Sequence, residues 1–205
     1  MIIIPEIETV VILVPRTGSG SLRRAIAETY PKSMLIYRHM EADGVPLGYD
    51  RWRRVGIVRH PLARLWSCYK FLSNFGGDHD PAYIAAMRAS VERPFSDWIL
   101  NNEVVFTSPY DRAGLNRYWP VFTVRHPIPE NRKSQWLYLR PDLGTETYAF
   151  DHLNGFAQML GVGLGRTNVT AADHAPQISD EAASYMARVF EWDYRAAFNA
   201  QAAAA

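Results

Sequence analysis

Apolar positions along the chain are spaced in two ways, one typical of strands and the other typical of helices. Val10–Val14 is a continuous, mostly β-branched apolar run, which predicts a buried strand. After it, apolar side chains recur every four positions at Leu22, Ile26 and Tyr30, which predicts a helix. A short segment rich in glycine and serine lies between the two and predicts a tight turn.

The same succession of strand and helix recurs further along the chain. Segments 33–37 and 53–58 are predicted strands, and an apolar stripe over 62–73 predicts a helix that follows Pro61. Strands that alternate with helices are typical of an α/β domain with a parallel sheet. The predicted fold class is therefore α/β, a P-loop-like three-layer fold with a central, mostly parallel sheet flanked by helices.

The second half of the chain carries further elements of both kinds. Ser96 and Ser179 stand where the N-caps of two helices are expected. Predicted helices cover 81–91, 95–101, 151–160 and 180–200, and predicted strands cover 119–124, 135–139 and 145–150. The length of 205 residues fits one domain, 1–205, in which 201–205 are expected to fray from the last helix.

Composition and charge narrow the class of function. Hydrophobic residues make up 48% of the chain, enough for a sizeable core, and the net charge is +1. A charge so close to zero creates no global field toward nucleic acid or a membrane, so neither is an expected partner. The single cysteine, Cys68, excludes an internal disulfide framework. No signal-peptide pattern, membrane-length apolar run or feature that specifies an oligomeric state is present, and a cytoplasmic location is expected.

The turn after the first predicted strand has the composition of an anion-binding loop. Its six residues, 16–21, supply two glycines and three hydroxyl groups beside the permanent charge of Arg16. Backbone N–H groups and the positive end of the helix dipole converge at such a turn and favour an anion. The turn matches neither the Walker A pattern, because Ser21 stands in place of its lysine, nor G-x-G-x-x-G. The alternative is an ordinary turn whose serines cap the helix.

A second candidate anion motif lies at the end of the predicted strand 53–58. Arg59 follows this strand directly, and Ser67 lies two helical turns into the next helix, where its hydroxyl can face the same crevice. An arginine together with a serine hydroxyl suits one phosphate group. Taken alone, however, the segment is better explained as a solvated arginine and a small helical residue.

Together the two motifs resemble those of the sulfotransferase family, and most closely its carbohydrate-type enzymes, which include the heparan-sulfate sulfotransferases. The first family motif, a basic residue with a Thr/Ser/Gly turn, matches Pro15–Leu22, and the second, R-x-P-x-x-R-x-x-S, matches Arg59–Ser67. The resemblance implies that the first motif binds the 5′-phosphosulfate of 3′-phosphoadenosine-5′-phosphosulfate (PAPS) and the second its 3′-phosphate. The cofactor-binding residues that it implies are Arg16, Thr17, Gly18, Ser19, Gly20, Ser21, Leu22, Arg59 and Ser67.

The resemblance also implies transfer of a sulfuryl group to a hydroxyl, with a carbohydrate as the expected acceptor. Many members have lysine where this chain has Arg16, and because arginine is no acid near neutral pH, a catalytic Arg16 would act by charge alone. His39, after the second predicted strand, is the first candidate for the base, because an ordinary histidine pKa of about 6.5 suits that role. Glu41 is the alternative base, and a non-catalytic position on the surface or behind the site is the alternative for His39.

Other functions stay open beside this one. Against a P-loop-like kinase or nucleotide hydrolase stand the missing Walker lysine and the lack of a clear acidic Mg²⁺ site. A non-catalytic nucleotide-binding module would keep the anion loop without a base. No metal site is expected, because Cys68 has no partner cysteine and the histidines form no i, i+4 pair. Arg64 is expected to brace neighbouring carboxylates rather than to bind the cofactor.

Overall fold

The computed structural model describes residues 1–106, 124–165 and 175–202. They form an α/β fold around one open five-stranded sheet in the order β3–β1–β2–β4–β5. The strands are β1 (Ile2–Ile4), β2 (Thr9–Ile12), β3 (Met34–Leu35), β4 (Arg53–Val58) and β5 (Glu146–Ala149). The α/β class and the helices that flank the sheet are confirmed.

The sheet, predicted to be mostly parallel, is mixed, with two parallel and two antiparallel pairings. Strands β2, β4 and β5 are parallel neighbours, whereas β1 is antiparallel to both β2 and β3. Sequence analysis did not predict β1, because Pro5 and two glutamates interrupt the apolar N-terminal run. A one-turn 3₁₀ helix, Pro5–Ile7, and the left-handed Glu8 instead reverse the chain and join β1 to β2 as a hairpin.

The described part of the chain contains eight α-helices. They are α1 (Ser19–Thr29), α2 (Pro61–Ser73), α3 (Pro81–Ala89), α4 (Phe95–Asn101), α5 (Gln135–Leu139), α6 (Leu153–Met159), α7 (Asp180–Val189) and α8 (Glu191–Ala202). Ser179 caps α7 as predicted, since its Oγ accepts a hydrogen bond from the Ala182 N–H. The predicted strand 119–124 lies almost wholly outside the described residues.

Three predictions about these elements were wrong. Segment 135–139 is the helix α5, because Ser134 Oγ caps it by accepting from the Trp136 N–H, at 3.1 Å. The predicted helix 180–200 is two helices, which are separated at Phe190. Ser96 does not cap α4, which begins at Phe95; its Oγ accepts instead from the backbone N–H of Ser179.

Strand side chains alternate between two apolar layers, one on each face of the sheet. Val11 and Val55 face α1 and α6, while Val10 and Val58 lie on the face covered by α5 and partly by α8. A third cluster, built around Leu65, joins α2 to α4 and α7 beside the sheet. The beginnings of α1 and α2 are left at the carboxyl edge of the sheet, where β2 and β4 end.

Candidate functional site

Parallel pairing of β2 with β4 brings the two anion motifs together. Ile12 is the register partner of Gly56, so the turn 16–21 after β2 and Arg59 after β4 leave the sheet at the same edge. In the turn, the Thr17 hydroxyl donates to the Val14 carbonyl at 2.9 Å, and the Leu22 N–H donates to the Gly18 carbonyl at 3.0 Å. These bonds fix the turn from within.

No side chain caps the first turn of α1, although three hydroxyl residues surround it. The N-cap position is occupied by Gly18, in the left-handed conformation with φ of 76°, and it has no side chain to accept a bond. Ser19, Gly20 and Ser21 lie in the first turn and are partly or fully exposed. The structure therefore does not support an ordinary turn capped by serines, and the N-terminus of α1 faces outward with the polarity that favours an anion.

Three side chains of the two motifs meet beside this turn. Arg16 Nε donates to Ser67 Oγ at 3.1 Å, across 51 positions of the chain. The Arg59 guanidinium donates through Nη1 to the Arg16 carbonyl at 2.9 Å. Two arginines, a serine hydroxyl and the start of α1 thus border one site.

The guanidinium groups of Arg16 and Arg59 both pack on aromatic rings. Arg16 lies 4.7 Å from the centre of the Phe71 ring, and Arg59 lies 4.4 Å from the centre of the Phe150 ring. Burial lowers the pKa of both guanidiniums from the usual arginine value, and the charge of Arg16 also lowers the pKa of Arg59. The charge of Asp151 acts in the opposite direction on the pKa of Arg59. Two adjacent, partly buried positive charges favour an anionic ligand.

Sequence analysis missed the two rings. Phe71 lies four positions after Ser67 on α2 and therefore on the same helix face, which is a signal that the spacing contained. Phe150 follows β5 directly, as Arg59 follows β4, so the parallel register of these strands places the two side by side.

His39 lies behind the turn, with 8% of its surface exposed. Its Nδ1 is 2.8 Å from the Leu13 carbonyl, which can only accept, so Nδ1 carries the proton and Nε2 carries the lone pair. Burial lowers the pKa of His39 from 6.5 to about 3. The ring is thus held as one neutral tautomer, and it is a weaker base than the ordinary histidine that the sequence led us to expect.

Glu41 is fully buried and bound on both oxygens. Its Oε1 accepts from Lys133 Nζ at 2.5 Å and from the His126 N–H at 3.0 Å, while Oε2 accepts from the Arg125 N–H at 2.7 Å. The structure therefore gives Glu41 the task of anchoring the chain around 125–133, and its carboxylate is directed at that segment.

Other residues in the two motifs or next to them lie in the protein interior. Arg64 is fully buried and pairs with Glu130 at 2.7 Å, which confirms that it braces a carboxylate. Burial raises the pKa of Cys68 to about 12, so its thiol stays neutral. Leu22 packs in the core. Among the residues that the structure describes, no group of histidine, cysteine or acidic side chains could hold a metal ion.

No helix in the described part of the chain is long and apolar enough to cross a membrane. No protein family, curated protein or solved structure matches the chain.

Proposed function

We propose that the protein is a PAPS-dependent sulfotransferase with a P-loop-like nucleotide site, and that it acts on a hydroxyl of a carbohydrate. The observation that carries the proposal is the meeting of Arg16, Ser67 and Arg59 at the uncapped start of α1. A doubly phosphorylated nucleotide supplies anionic groups for two such positive positions. The resemblance of both motifs to those of sulfotransferases assigns the 5′-phosphosulfate to the turn and the 3′-phosphate to Arg59 and Ser67.

In the proposed reaction, an acceptor hydroxyl oxygen attacks sulfur while the bond from sulfur to the bridging phosphate oxygen breaks in line. The hydroxyl proton passes to His39 Nε2, the lone-pair nitrogen, and 3′-phosphoadenosine-5′-phosphate (PAP) leaves. The charge of Arg16 and the N–H groups of the turn stabilise the negative charge that spreads over the transferring group and the leaving phosphate. Arg16 keeps its proton throughout.

Calorimetry with PAP and with adenosine-5′-phosphate (AMP) tests the nucleotide assignment. Arg59→Ala should weaken PAP binding by about 1.5–3 kcal/mol for each charged hydrogen bond lost, and it should leave AMP binding unchanged. Arg53→Ala is the matched control, because Arg53 begins the same strand but pairs with Glu146 at the far end. An equal loss of PAP and AMP in Arg59→Ala would contradict the assignment of the 3′-phosphate.

A non-catalytic nucleotide-binding module is the second candidate, and the low pKa of His39 favours it. Incubation of candidate glycans with PAPS, followed by mass spectrometry, separates the two. Transfer that is abolished in His39→Gln, with PAP affinity unchanged, supports the enzyme. PAP binding with no transfer to any hydroxyl acceptor supports the module, and ATP hydrolysis would instead support a nucleotide hydrolase.

A further inference from the structure

The side chain of Gln135 binds both backbone groups of Arg59. Its Oε1 accepts from the Arg59 N–H at 2.9 Å, and its Nε2 donates to the Arg59 carbonyl at 2.7 Å. Arg59 lies one position beyond the last register pair of β4 with β5, Val58 with Ala149. A side-chain amide thus continues the strand-like bonding by one residue, at the point where the sheet no longer supplies a partner.

Asp193 of α8 holds Gln135 in turn. Its carboxylate accepts from the Gln135 backbone N–H at 2.9 and 3.0 Å and from Gln135 Nε2 at 3.2 Å. The Ser134 hydroxyl donates to the same carboxylate. Both Gln135 and Asp193 are fully buried. Because Asp193 accepts from Gln135 Nε2, the amide has one favoured orientation, in which Oε1 faces the Arg59 N–H.

We propose that Gln135 and Asp193 are positioning residues that hold Arg59 in the orientation needed to bind the 3′-phosphate, an inference that rests on the proposed function. The backbone of Arg59 is fixed by Gln135, and its guanidinium is held between the Arg16 carbonyl and the Phe150 ring. An arginine fixed in this way loses little conformational freedom when an anion binds. Neither positioning residue needs to touch the nucleotide.

Calorimetry with PAP and AMP on Gln135→Leu and Asp193→Asn tests this inference. Each variant should reduce the preference for PAP over AMP, by roughly tenfold for Gln135→Leu, and AMP affinity should not change. Arg59→Ala should cost little further PAP affinity in the Gln135→Leu background, because the two residues act as one unit. Asp193→Asn keeps the shape of the side chain and serves the test if Gln135→Leu does not fold.

Asn131→Leu is the matched control, because Asn131 is another fully buried amide near α5 but donates to the Ile99 carbonyl, away from the site. Two results would overturn the inference. One is a loss of PAP preference in Asn131→Leu equal to that in Gln135→Leu. The other is a loss of PAP affinity in the Gln135→Leu, Arg59→Ala double variant that equals the sum of the two single losses. The Arg59 Nε–H resonance in NMR spectra needs no nucleotide: we expect a single sharp signal that broadens in Gln135→Leu. If the wild-type chain shows no preference for PAP, the proposed function fails, while an unchanged Arg59 resonance would separately overturn the positioning role.

Discussion

At the scale of single residues, Arg16 combines a charge with an uncommon backbone conformation. Its φ of 64° lies in the left-handed region, which a residue with a side chain seldom adopts. In this conformation its carbonyl accepts from Arg59 while its guanidinium reaches Ser67. Strained residues persist where surrounding contacts hold them, and they cluster at functional sites. A lysine at this position would keep the charge but would lack the Nε donor that binds Ser67.

His39 is expected to make the stability of the protein dependent on pH. Its pKa is about 3 in the fold, whereas the ordinary value of 6.5 applies in the unfolded chain. Between these values the unfolded chain binds one more proton, so the free energy of unfolding decreases as the pH falls from 6.5, by about 1.4 kcal/mol per pH unit. Above this window the contribution is constant. Urea unfolding of the wild type and His39→Gln at pH 7, 6, 5 and 4 measures the difference.

The exposed His152 provides the control for that comparison. His152→Gln should leave the pH dependence of the wild-type protein unchanged, whereas His39→Gln should make the slope between pH 6 and 4 shallower by about 1.4 kcal/mol per pH unit. The buried N-terminal amine of Met1, whose pKa burial lowers from 8.0 to about 4, adds a slope of the same sign in all three proteins and cancels in the comparison. Parallel curves for the wild type and His39→Gln would show that His39 is protonated in the fold as readily as in the unfolded chain.

At the scale of elements, the turn between β2 and α1 should tolerate a methyl group at one glycine and not at the other. A Cβ at Gly18 would require a side chain at φ of 76° and would lie 2.7 Å from Leu153 Cδ2. We expect Gly18→Ala to lower the free energy of unfolding by about 1–2 kcal/mol, from the left-handed backbone alone. Gly20→Ala, where no atom lies within 4 Å, should be neutral or stabilising by up to about 1 kcal/mol. Urea unfolding measures the free energy of unfolding of both variants. Equal changes in Gly18→Ala and Gly20→Ala would contradict the left-handed conformation of Gly18 in this turn.

Helix α2 is tied to the chain before α5 by the buried pair of Arg64 and Glu130. Tyr138 also donates to Glu130, at 2.6 Å, so removal of Arg64 leaves a buried carboxylate with too few partners. We expect Arg64→Met to lower the free energy of unfolding by about 3–5 kcal/mol, and the double variant with Glu130→Met to recover a large part. Chemical denaturation with both variants measures this.

The exposed pair of Arg53 and Glu146 is the matched comparison, because its side chains are 40% and 47% exposed. Arg53→Met should cost at most about 1 kcal/mol. If Arg64→Met lowered the free energy of unfolding by no more than Arg53→Met does, the buried pair would stabilise the fold no more than a surface pair.

The elements that sequence analysis predicted correctly are those with long, regular patterns. The apolar run before the turn predicted β2, and the four-residue spacing after it predicted α1. The two motifs identified Arg16, Arg59 and Ser67 as candidate site residues. The prediction of a strand over 135–139 was wrong because a five-residue apolar run suits either a strand or a helix. The N-cap at Ser134 decides for the helix. Phe150 and Asp193 depend on strand register and helix packing, which no local pattern contains.

At the scale of the whole molecule, two arginine charges meet at the site although the net charge is only +1. Arg53, Arg64 and Lys133 each pair with a glutamate, and these pairs lie elsewhere in the fold. Arg16 and Arg59 instead pack on aromatic rings. The fold therefore holds these two cations next to each other, between the sheet and α2.

A ligand at this position should stabilise the whole fold, because it would join the turn after β2 to α2, which packs on α4 and α7. Binding to the folded state alone adds about 2.7 kcal/mol to the free energy of unfolding when the ligand concentration is 100 times its Kd. For a chain of this size we expect PAP to raise the Tm by roughly 5–10 °C. AMP at the same concentration should raise it less, and Arg59→Ala should reduce the PAP shift to that of AMP. Differential scanning calorimetry measures these Tm shifts, with inorganic sulfate as a further control. Equal Tm shifts from sulfate, AMP and PAP would show a general anion site without nucleotide selectivity.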